Sequence, residues 1–577
     1  MSSATPAPTS WAPRVRRLPL AGVLRLGRAS DIWFKPALSV VASVAPPNLT
    51  LLALGRLDLA MYTMAGSLCA LYAHNKPYAA RARVLLRVVL GMIGGLAVAL
   101  VTASLTTNAV VLVTVGAGLA AVQKGLCDAT RIGPPGNVVL TFISSASLFA
   151  PQTLAQIPGH LALAAAAGIW AWLVGMAPGL VRPYGPERRA TAQALDAAAA
   201  YAAVCGAGDG DVHGPGVAHG HAQARARAAT AAAVHAAWQT LLATGTRTTT
   251  RRSLERLVVR AEVALAAPAD TDPEPLRTWA RELRGGGPVP RADDPAGAVA
   301  ELLGVDAQLA APARPLWTRL GPLAPLVLRT AIGCALAGYV SLALGVGRPY
   351  WALVTAASLY QANIALTWGR GVQRVVGNLV GVLVFAGVAP LAHTRPAVLV
   401  LCCLAFNFGA EALIGRNYWL GSVCVTPMAL LITEFARTQQ AGELITERVA
   451  DTLVGALAGL VAAVVVTNRR ATDRVEEALT AVERACGRVA RLLTEPAPAP
   501  GALDSAHRAL AAALVELRAT VDAASGEWWQ RALPQERVVL AEQSGHRTLA
   551  ATVRRRGPHP RQAADRRTGR KTEGVRG

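Results

Sequence analysis

A series of long apolar runs constrains the fold of this chain more than any other feature. A helix needs about 20 apolar residues to cross the hydrocarbon core of a bilayer. In the first half, such runs predict spans at 36–54, 58–73, 86–104, 108–125, 137–151 and 160–181. In the second half, they predict spans at 323–345, 350–367, 375–393, 397–414, 418–435 and 449–467. The expected fold class is an all-α polytopic membrane protein with about 12 transmembrane helices in two blocks of six.

Composition agrees with a membrane protein and argues against a nucleic-acid binder. Only 16% of the 577 residues are charged and 53% are hydrophobic, whereas soluble domains are about a quarter charged. The net charge of +22 lies in the termini, the central segment and the short loops, which is typical of membrane orientation. We therefore expect the lipid bilayer as a partner, and no nucleic acid.

The distribution of basic residues predicts the orientation of the chain. In the first half, they cluster between spans two and three and between spans four and five: Lys76, Arg81, Arg83, Arg87, Lys124 and Arg131. Because basic loops stay inside, we expect a multi-pass protein of the bacterial inner (plasma) membrane with cytoplasmic N- and C-termini. Four arginines of the second half fall on the expected outer side instead: Arg348, Arg395, Arg437 and Arg448.

The domain organisation is expected to alternate membrane and cytoplasmic segments. The segments are a basic cytoplasmic N-terminus (1–35), a first transmembrane repeat (36–181), a cytoplasmic helical segment (182–320), a second transmembrane repeat (321–467), cytoplasmic helical coils (468–552) and a basic disordered tail (553–577). In the coils, Val475 and Leu510 each begin a series of apolar residues spaced by four and three. This spacing predicts packed helices, either as a hairpin within the chain or as a coiled coil that forms a homo-oligomer.

A match without gaps links the two halves. Residues 83–95, RVLLRVVLGMIGG, align with residues 370–382, RGVQRVVGNLVGV. The alignment pairs two arginines and one glycine of each half: Arg83 with Arg370, Arg87 with Arg374 and Gly94 with Gly381. Both motifs lie where the third span of their half begins, which predicts an internal repeat. In transporters built from repeats, the substrate site lies where the repeats meet.

The paired arginines have two interpretations. Arginines four residues apart share one face of a helix, and they could snorkel to anchor the span at the inner membrane surface. Alternatively, they form a cationic entrance for anionic substrates, because a guanidinium can bind a carboxylate through two hydrogen bonds. The glycines Gly94, Gly377 and Gly381 are expected to let another helix approach closely.

The second half resembles a known family. The stretch from Tyr350 to Val384, YWALVTAASLYQANIALTWGRGVQRVVGNLVGVLV, is similar to the signature of the FUSC (fusaric acid resistance-like) membrane proteins. The similarity lies in the Tyr-Trp-Ala opening, the small-residue span and the R-x-x-G-x-x-x-G motif at Arg374, Gly377 and Gly381. It extends over about residues 320–470. The resemblance implies export or permeation of organic anions, with aromatic acid resistance as a biological outcome of export.

Five further residues are candidates for a site. Tyr350 and Trp351 begin a span, where they would act as interfacial anchors or stack against an aromatic substrate. Gln361 would bond a neighbouring helix or contact the substrate. Glu411 is the first candidate for proton coupling and Glu434 the second, because an ionisable group at membrane depth indicates function. An ion pair between Glu411 and Arg416 is the alternative.

No pattern in the sequence indicates catalysis, a cofactor or a metal site. Most of the eight cysteines lie in apolar runs without metal-ligand spacing, and a Walker A motif is absent. Three histidines of a glycine-rich loop lack the neighbouring ligands that a metal site needs: His213, His219 and His221. We expect no enzyme activity, no cofactor and no bound metal.

Together, these features predict a transporter that exports organic, especially aromatic, carboxylate anions or related toxic compounds. Two alternatives stay open. The protein could be a passive anion channel, which differs in its response to a proton gradient. It could also be a membrane scaffold that transports nothing and recruits partners through its cytoplasmic coils.

Overall fold

The computed structural model describes residues 20, 22–27, 32–206, 217–243, 248–291, 317–345, 348–435, 439–466, 471–496, 498–499, 501–526 and 534–556. These residues form α-helices, short 3₁₀ turns and connecting loops, and no strand occurs among them. The predicted all-α fold class is therefore confirmed. Most of the basic N-terminus and of the basic tail lies outside the described residues.

The described residues divide into two compact units. The membrane unit draws on Met1–Pro183, Arg314–Arg469 and Ala523–Arg531, and the second unit on Tyr184–Ala313, Arg470–Asp522 and Ala532–Gly577. The apolar helices of both halves thus fold together in one unit. The two polar helical segments, which are far apart in the sequence, fold together in the other.

We label the apolar helices of the membrane unit α1 to α12. Those of the first half are α1 (Phe34–Ala53), α2 (Ala60–Ser67), α3 (Tyr78–Leu105), α4 (Ala109–Ala129), α5 (Val138–Leu148) and α6 (Ile157–Met176). Those of the second half are α7 (Ala324–Ala343), α8 (Pro349–Leu359), α9 (Ile364–Ala392), α10 (Pro396–Ile414), α11 (Tyr418–Glu434) and α12 (Ala441–Val465). Each predicted span corresponds to one of these helices.

Not every predicted span has the length of a full crossing. Among the described residues, eight helices are long and apolar enough to cross a membrane. They are α1, α3, α4, α6, α7, α9, α10 and α12, whereas α2, α5, α8 and α11 are shorter. Both halves therefore show the same order of long, short, long, long, short and long helices.

The predicted span 350–367 is wrong because the chain leaves the helix in its middle. Helix α8 ends at Leu359, Tyr360 is extended, and Asn363 starts α9 by accepting a 2.9 Å hydrogen bond from the backbone N–H of Leu366. An asparagine at this position satisfies one of the free N–H groups of a helix start. As a result, Arg370 and Arg374 lie within α9 and not before it.

The helices of the two halves exchange partners. Helix α1 packs against α10, and α4 packs against α7, so the first helix of each half contacts the fourth helix of the other. Within each half, the second helix packs against the sixth and the third against the fifth. Helix α8 also packs against α5, which brings the start of the second half next to the core of the first.

Glycines allow α9 and α11 to approach closely. A Cβ atom at Gly377 would lie 2.5 Å from Ser422 Cβ and 2.6 Å from the Trp419 carbonyl oxygen, and one at Gly381 would lie 2.7 Å from Thr426 Cβ. In the first half, the expectation for Gly94 is wrong. A Cβ there would meet no other described atom, whereas at Gly95 it would lie 2.7 Å from Gln123 Nε2.

Gly377→Ala is therefore expected to lower the thermal unfolding midpoint of the protein in detergent. The backbone carbonyl of Trp419 cannot move without shifting α11, and overpacking of this kind costs typically about 1–3 kcal/mol. The matched control is Gly387→Ala in the same helix, since a Cβ at Gly387 meets no described atom within 4 Å. Equal midpoints for the two variants would contradict the close contact.

Among the residues that the structure describes, the second unit combines four helices of the central segment with three of the C-terminal segment. They are Gly185–Gly206, Val217–Leu242, Thr249–Ala266 and Pro273–Gly285, followed by Ala471–Thr494, Ala502–Ser525 and Gln535–Arg556. The apolar seams that begin at Val475 and Leu510 are buried within the single chain. Within the described residues, the C-terminal segment has three helices, one more than the two seams predict, and Ala471–Thr494 packs against Gln535–Arg556.

Candidate functional site

An unusual arginine lies near the start of α12. The side chain of Arg448 is buried, with 1% of the residue exposed, and none of its three guanidinium nitrogens has a hydrogen-bond partner among the described residues. The guanidinium carbon lies 3.9 Å from the centroid of the Trp351 ring, which is a cation–π contact. Leaving buried N–H groups without acceptors costs free energy. Arg448 therefore retains the capacity to bind an anion.

A buried carboxylate shares this helix. Asp451 follows Arg448 by three residues and is fully buried. Its Oδ1 accepts a 2.7 Å hydrogen bond from Ser341 Oγ of α7, and its Oδ2 has no hydrogen-bond partner among the described residues. Arg448 and Asp451 thus share no hydrogen bond, although adjacent turns of one helix carry them. Asp451 is held toward α7 and interacts electrostatically with Arg448 without accepting a hydrogen bond from its guanidinium group.

Two arginines of α9 enclose a tyrosine of α11. Arg374 is buried, and its Nη1 donates a 3.2 Å hydrogen bond to Tyr418 Oη. The guanidinium carbon of Arg370 lies 3.6 Å from the centroid of the Tyr418 ring. Both side chains therefore point into the membrane unit. An arginine that only anchors its helix at the lipid surface does not need this orientation. Tyr418 is held at its hydroxyl by one guanidinium and at its ring face by the other.

The three arginines belong to one electrostatic cluster. Arg448 interacts electrostatically with Arg374 and Tyr418. Next to them, Thr426 Oγ1 donates to Asn378 Oδ1 at 2.6 Å, and Asn378 Nδ2 donates to Thr452 Oγ1 at 2.9 Å. These bonds tie α9, α11 and α12 together one turn away from the charges. We refer to Arg370, Arg374 and Arg448 as the arginine cluster.

The aromatic pair at the start of α8 is buried. Trp351 is 1% exposed, so neither it nor the buried Tyr350 can act as an anchor in the headgroup region. Their ring centroids lie close to those of two phenylalanines at α5, with 5.8 Å between Tyr350 and Phe149 and 5.5 Å between Trp351 and Phe142. The ring beneath Arg448 therefore belongs to an aromatic group shared by both halves.

The first half does not reproduce the arginine cluster. Arg83 and Arg87 are exposed on α3, positions that suit snorkelling arginines. The buried arginine of this helix is Arg81, which donates to the carbonyl oxygens of Gly175 at 2.9 Å and Ala70 at 3.3 Å. These carbonyl groups accept hydrogen bonds from its guanidinium group, so Arg81 stabilises the packing of α3 against α6.

The other sequence candidates lie in different surroundings. Gln361 is in the α8–α9 loop, where its Nε2 donates to the Tyr360 carbonyl oxygen at 3.2 Å. Glu411 is partly buried on α10, and within the described residues it forms no ion pair with Arg416. Glu434 is buried, with Oε2 at 3.0 Å from His393 Nε2 and Oε1 without a partner among those residues. Among the described residues, Glu434 thus pairs with a histidine, whereas Glu411 interacts electrostatically with Tyr72.

Sequence reasoning missed Arg448, Asp451 and Tyr418. The sequence places Arg448 in a loop on the outer side, because the predicted span begins at 449. One signal could have identified it: Arg448 departs from the positive-inside distribution and stands three residues before an aspartate at the start of an apolar run. Ionisable residues inside spans are functional candidates.

Within the parts of the chain that the structure describes, no group of three or more His, Cys, Asp or Glu side chains is placed to hold a metal ion. The histidines considered above lie outside this search. His213 is not among the described residues, and neither are the side chains of His219 and His221.

Fold and site together define the class: a multi-pass, all-helical membrane protein with a buried cluster of guanidinium groups in its membrane unit. Residues 334–462 match the sequence model of the fusaric acid resistance protein-like family, which confirms the resemblance found in the sequence. The matched segment contains the arginine cluster, Trp351, Tyr418 and Asp451. This family is one of membrane transporters, and the chain is similar to it over the helices that build the site.

A curated relative supports the membrane assignment. Over 210 residues, the chain is 31% identical to the uncharacterized membrane protein YvaC of Bacillus subtilis (strain 168). The shared region is 36% of this chain and 32% of YvaC, so the chain spans about a third of the length of that relative. No solved structure matches the chain.

Proposed function

We propose that this protein exports organic anions, in particular aromatic carboxylates, across the bacterial inner membrane. The observation that carries the proposal is the buried guanidinium of Arg448, which has no hydrogen-bond partner among the described residues. A carboxylate would accept two of its N–H groups at once, because the two groups have matching planar geometry. Binding would offset the desolvation of the arginine.

The surroundings of Arg448 favour an anion with an aromatic ring. Arg370 and Arg374 add positive charge on α9, and the rings of Trp351 and Tyr418 already stack on guanidinium groups. A flat substrate could bind between the same surfaces, where ring contacts contribute about 0.5–1.5 kcal/mol beyond area burial. Asp451, held by Ser341, would disfavour a second negative charge next to the first.

The common architecture of the two halves supports an internal duplication. Both have the same order of long and short helices, and their first and fourth helices pair reciprocally. Repeats of this kind commonly enclose the substrate site, and Trp351 contacts the first half through Phe142. With basic residues inside, both termini and the second unit would be cytoplasmic.

The outward direction rests on the family description. It refers to resistance against fusaric acid, an aromatic carboxylic acid, and resistance to a toxic anion is consistent with its removal from the cytoplasm. Proton coupling would supply the driving force, with Glu434 and its His393 partner tested before Glu411. The homo-oligomer considered from the sequence remains a proposal as well.

The test is transport by the purified protein in liposomes. We expect the protein to increase the flux of fusarate and 2-naphthoate above the passive permeation measured in protein-free liposomes, and to leave the flux of uncharged 2-naphthamide unchanged. An imposed pH gradient should drive accumulation, and a protonophore should abolish it. Flux that follows only the concentration gradient would indicate the passive channel, and no flux of any anion would favour the scaffold.

A second arm separates transport from recruitment. A chain truncated after Asp473 loses the C-terminal helices. If the truncated chain, once inserted, still transports whereas Arg448→Gln does not, the arginine cluster carries the function. Loss of cellular acid tolerance on truncation, together with full tolerance in Arg448→Gln, would contradict the transport proposal.

A further inference from the structure

The second unit contains two adjoining cavities. The inner cavity, of about 280 Å³, lies between the helices Val217–Leu242, Thr249–Ala266, Ala502–Ser525 and Gln535–Arg556. The outer cavity, of about 830 Å³, shares three lining residues with it: Ala231, Leu514 and His546. An engineered apolar cavity of about 150 Å³ binds benzene, so the inner space can hold a larger ring system.

A tryptophan with fixed orientation forms one wall of the inner cavity. Trp238 is buried, and its indole N–H donates a 2.7 Å hydrogen bond to Glu262 Oε1. The guanidinium carbon of the buried Arg508 lies 5.2 Å from the centroid of the Trp238 ring. Much of the remaining wall is aliphatic, including Val234 and Leu549. The wall thus offers an aromatic face whose orientation is set before any ligand binds.

Burial disfavours the charged form of two histidines that line the inner cavity. Burial lowers the pKa of His507, whose Nδ1 is 2.6 Å from Thr552 Oγ1. Burial, together with the charge of Arg227, lowers the pKa of His546 to about 4. Besides its three histidines, which include His235, the inner cavity is lined by two ionisable side chains of opposite charge, Glu262 and Arg508. Its interior is suited to an uncharged ring.

The outer cavity is more basic than the inner one. It is lined by three arginines and two acidic residues: Arg225, Arg227, Arg518, Asp522 and Glu542. Arg518 Nε lies 3.5 Å from Asp522 Oδ1, and Arg518 Nη1 lies 3.5 Å from Glu542 Oε1. These two carboxylates largely balance the charge of Arg518. The positive charge of Arg227 helps to lower the pKa of His546, a residue that lines both cavities. Positive charge therefore lies where the two cavities join.

We propose that the two cavities form a binding site for an amphipathic organic anion, with its carboxylate beside Arg227 and its hydrophobic body against Trp238. The site uses residues of the central and C-terminal segments together, so a bound anion would hold the two segments to one another. It shares no residue with the arginine cluster and does not depend on the proposed transport. The role of this site would be to make the structure of the second unit depend on the concentration of such anions.

The experiment is equilibrium dialysis of radiolabelled 2-naphthoate against the full-length protein in detergent. All variants are made in an Arg448→Gln background, which lacks the guanidinium group proposed to bind the carboxylate in the membrane unit. We expect this background to bind the anion, and Ala231→Leu, which fills the junction of the cavities, to weaken binding at least about tenfold. Ala229→Leu changes an exposed alanine of the same helix and should bind normally.

A second variant keeps the test decisive if Ala231→Leu does not fold. Arg227→Gln should weaken binding of 2-naphthoate about tenfold or more, the size expected for one charge-assisted hydrogen bond, and leave weak binding of 2-naphthamide unchanged. Undiminished binding in folded Ala231→Leu or in Arg227→Gln would overturn the proposal, and so would an Arg448→Gln protein that binds no naphthoate. Transport by the wild-type protein is measured separately, so either proposal can fail alone.

Discussion

Arg448→Met is expected to remove most of the transport activity and, at the same time, to raise the thermal stability of the protein. The desolvation of a buried guanidinium costs several kcal/mol. The contact with Trp351 offsets only about 2 kcal/mol of this. Methionine fills a similar space without charge. Loss of a charge-assisted hydrogen bond to the substrate, about 1.5–3 kcal/mol, corresponds to roughly a 10- to 150-fold reduction in transport.

Two measurements check this expectation: the initial rate of 2-naphthoate flux in liposomes and the thermal unfolding midpoint in detergent. Arg87→Met is the matched control, because it makes the same chemical change at an exposed position of α3. It should leave both quantities close to those of the wild type. A lower midpoint with normal flux in Arg448→Met would mean that Arg448 stabilises the fold and does not bind the substrate.

Replacing Arg370 and Arg374 together by glutamine is expected to reduce transport at least about tenfold while the protein still inserts normally. Both side chains face Tyr418 inside the membrane unit, and their loss removes positive charge beside Arg448. The effect should appear as weaker apparent affinity for the anion. Flux is measured over a range of 2-naphthoate concentrations, and insertion by the accessibility of reporter tags at the two termini.

The paired replacement of Arg83 and Arg87 separates the two roles of arginine in these helices. Both are exposed on α3, so glutamine at these positions should alter the efficiency or orientation of insertion and leave the affinity for the anion unchanged. If the Arg370 and Arg374 variant instead misinserts and its inserted fraction transports normally, anchoring is their only role.

The order of the helices and most of their starts could be predicted from the sequence, but three starts could not. The predicted starts at 86, 375 and 449 are later than the observed starts at Tyr78, Ile364 and Ala441. In each case, charged residues occupy the first turns and lower the local hydropathy: arginines in α3 and α9, and Glu443, Glu447 and Arg448 in α12. A charged side chain ends an apolar run but not a helix, because the backbone hydrogen bonds continue through it.

The site was predicted only in part. The repeat identified Arg370 and Arg374, but the same spacing at Arg83 and Arg87 gave surface positions. Local sequence fixes the angle between two side chains on one helix and not the direction in which that face points. The contact of Arg448 with Trp351 joins residues almost a hundred positions apart, and it depends on the packing of α8 against α12. No local pattern could indicate it.

The exchange of partners between the first and fourth helices has a consequence for how the membrane unit assembles. When the first half emerges from the ribosome, the faces of α1 and α4 that will meet α10 and α7 can contact only lipid. The reciprocal pairing is that of an isologous dimer contained in a single chain. The helix packing of each half is therefore incomplete until the other half is present. In this respect, the first half resembles one subunit of a dimer.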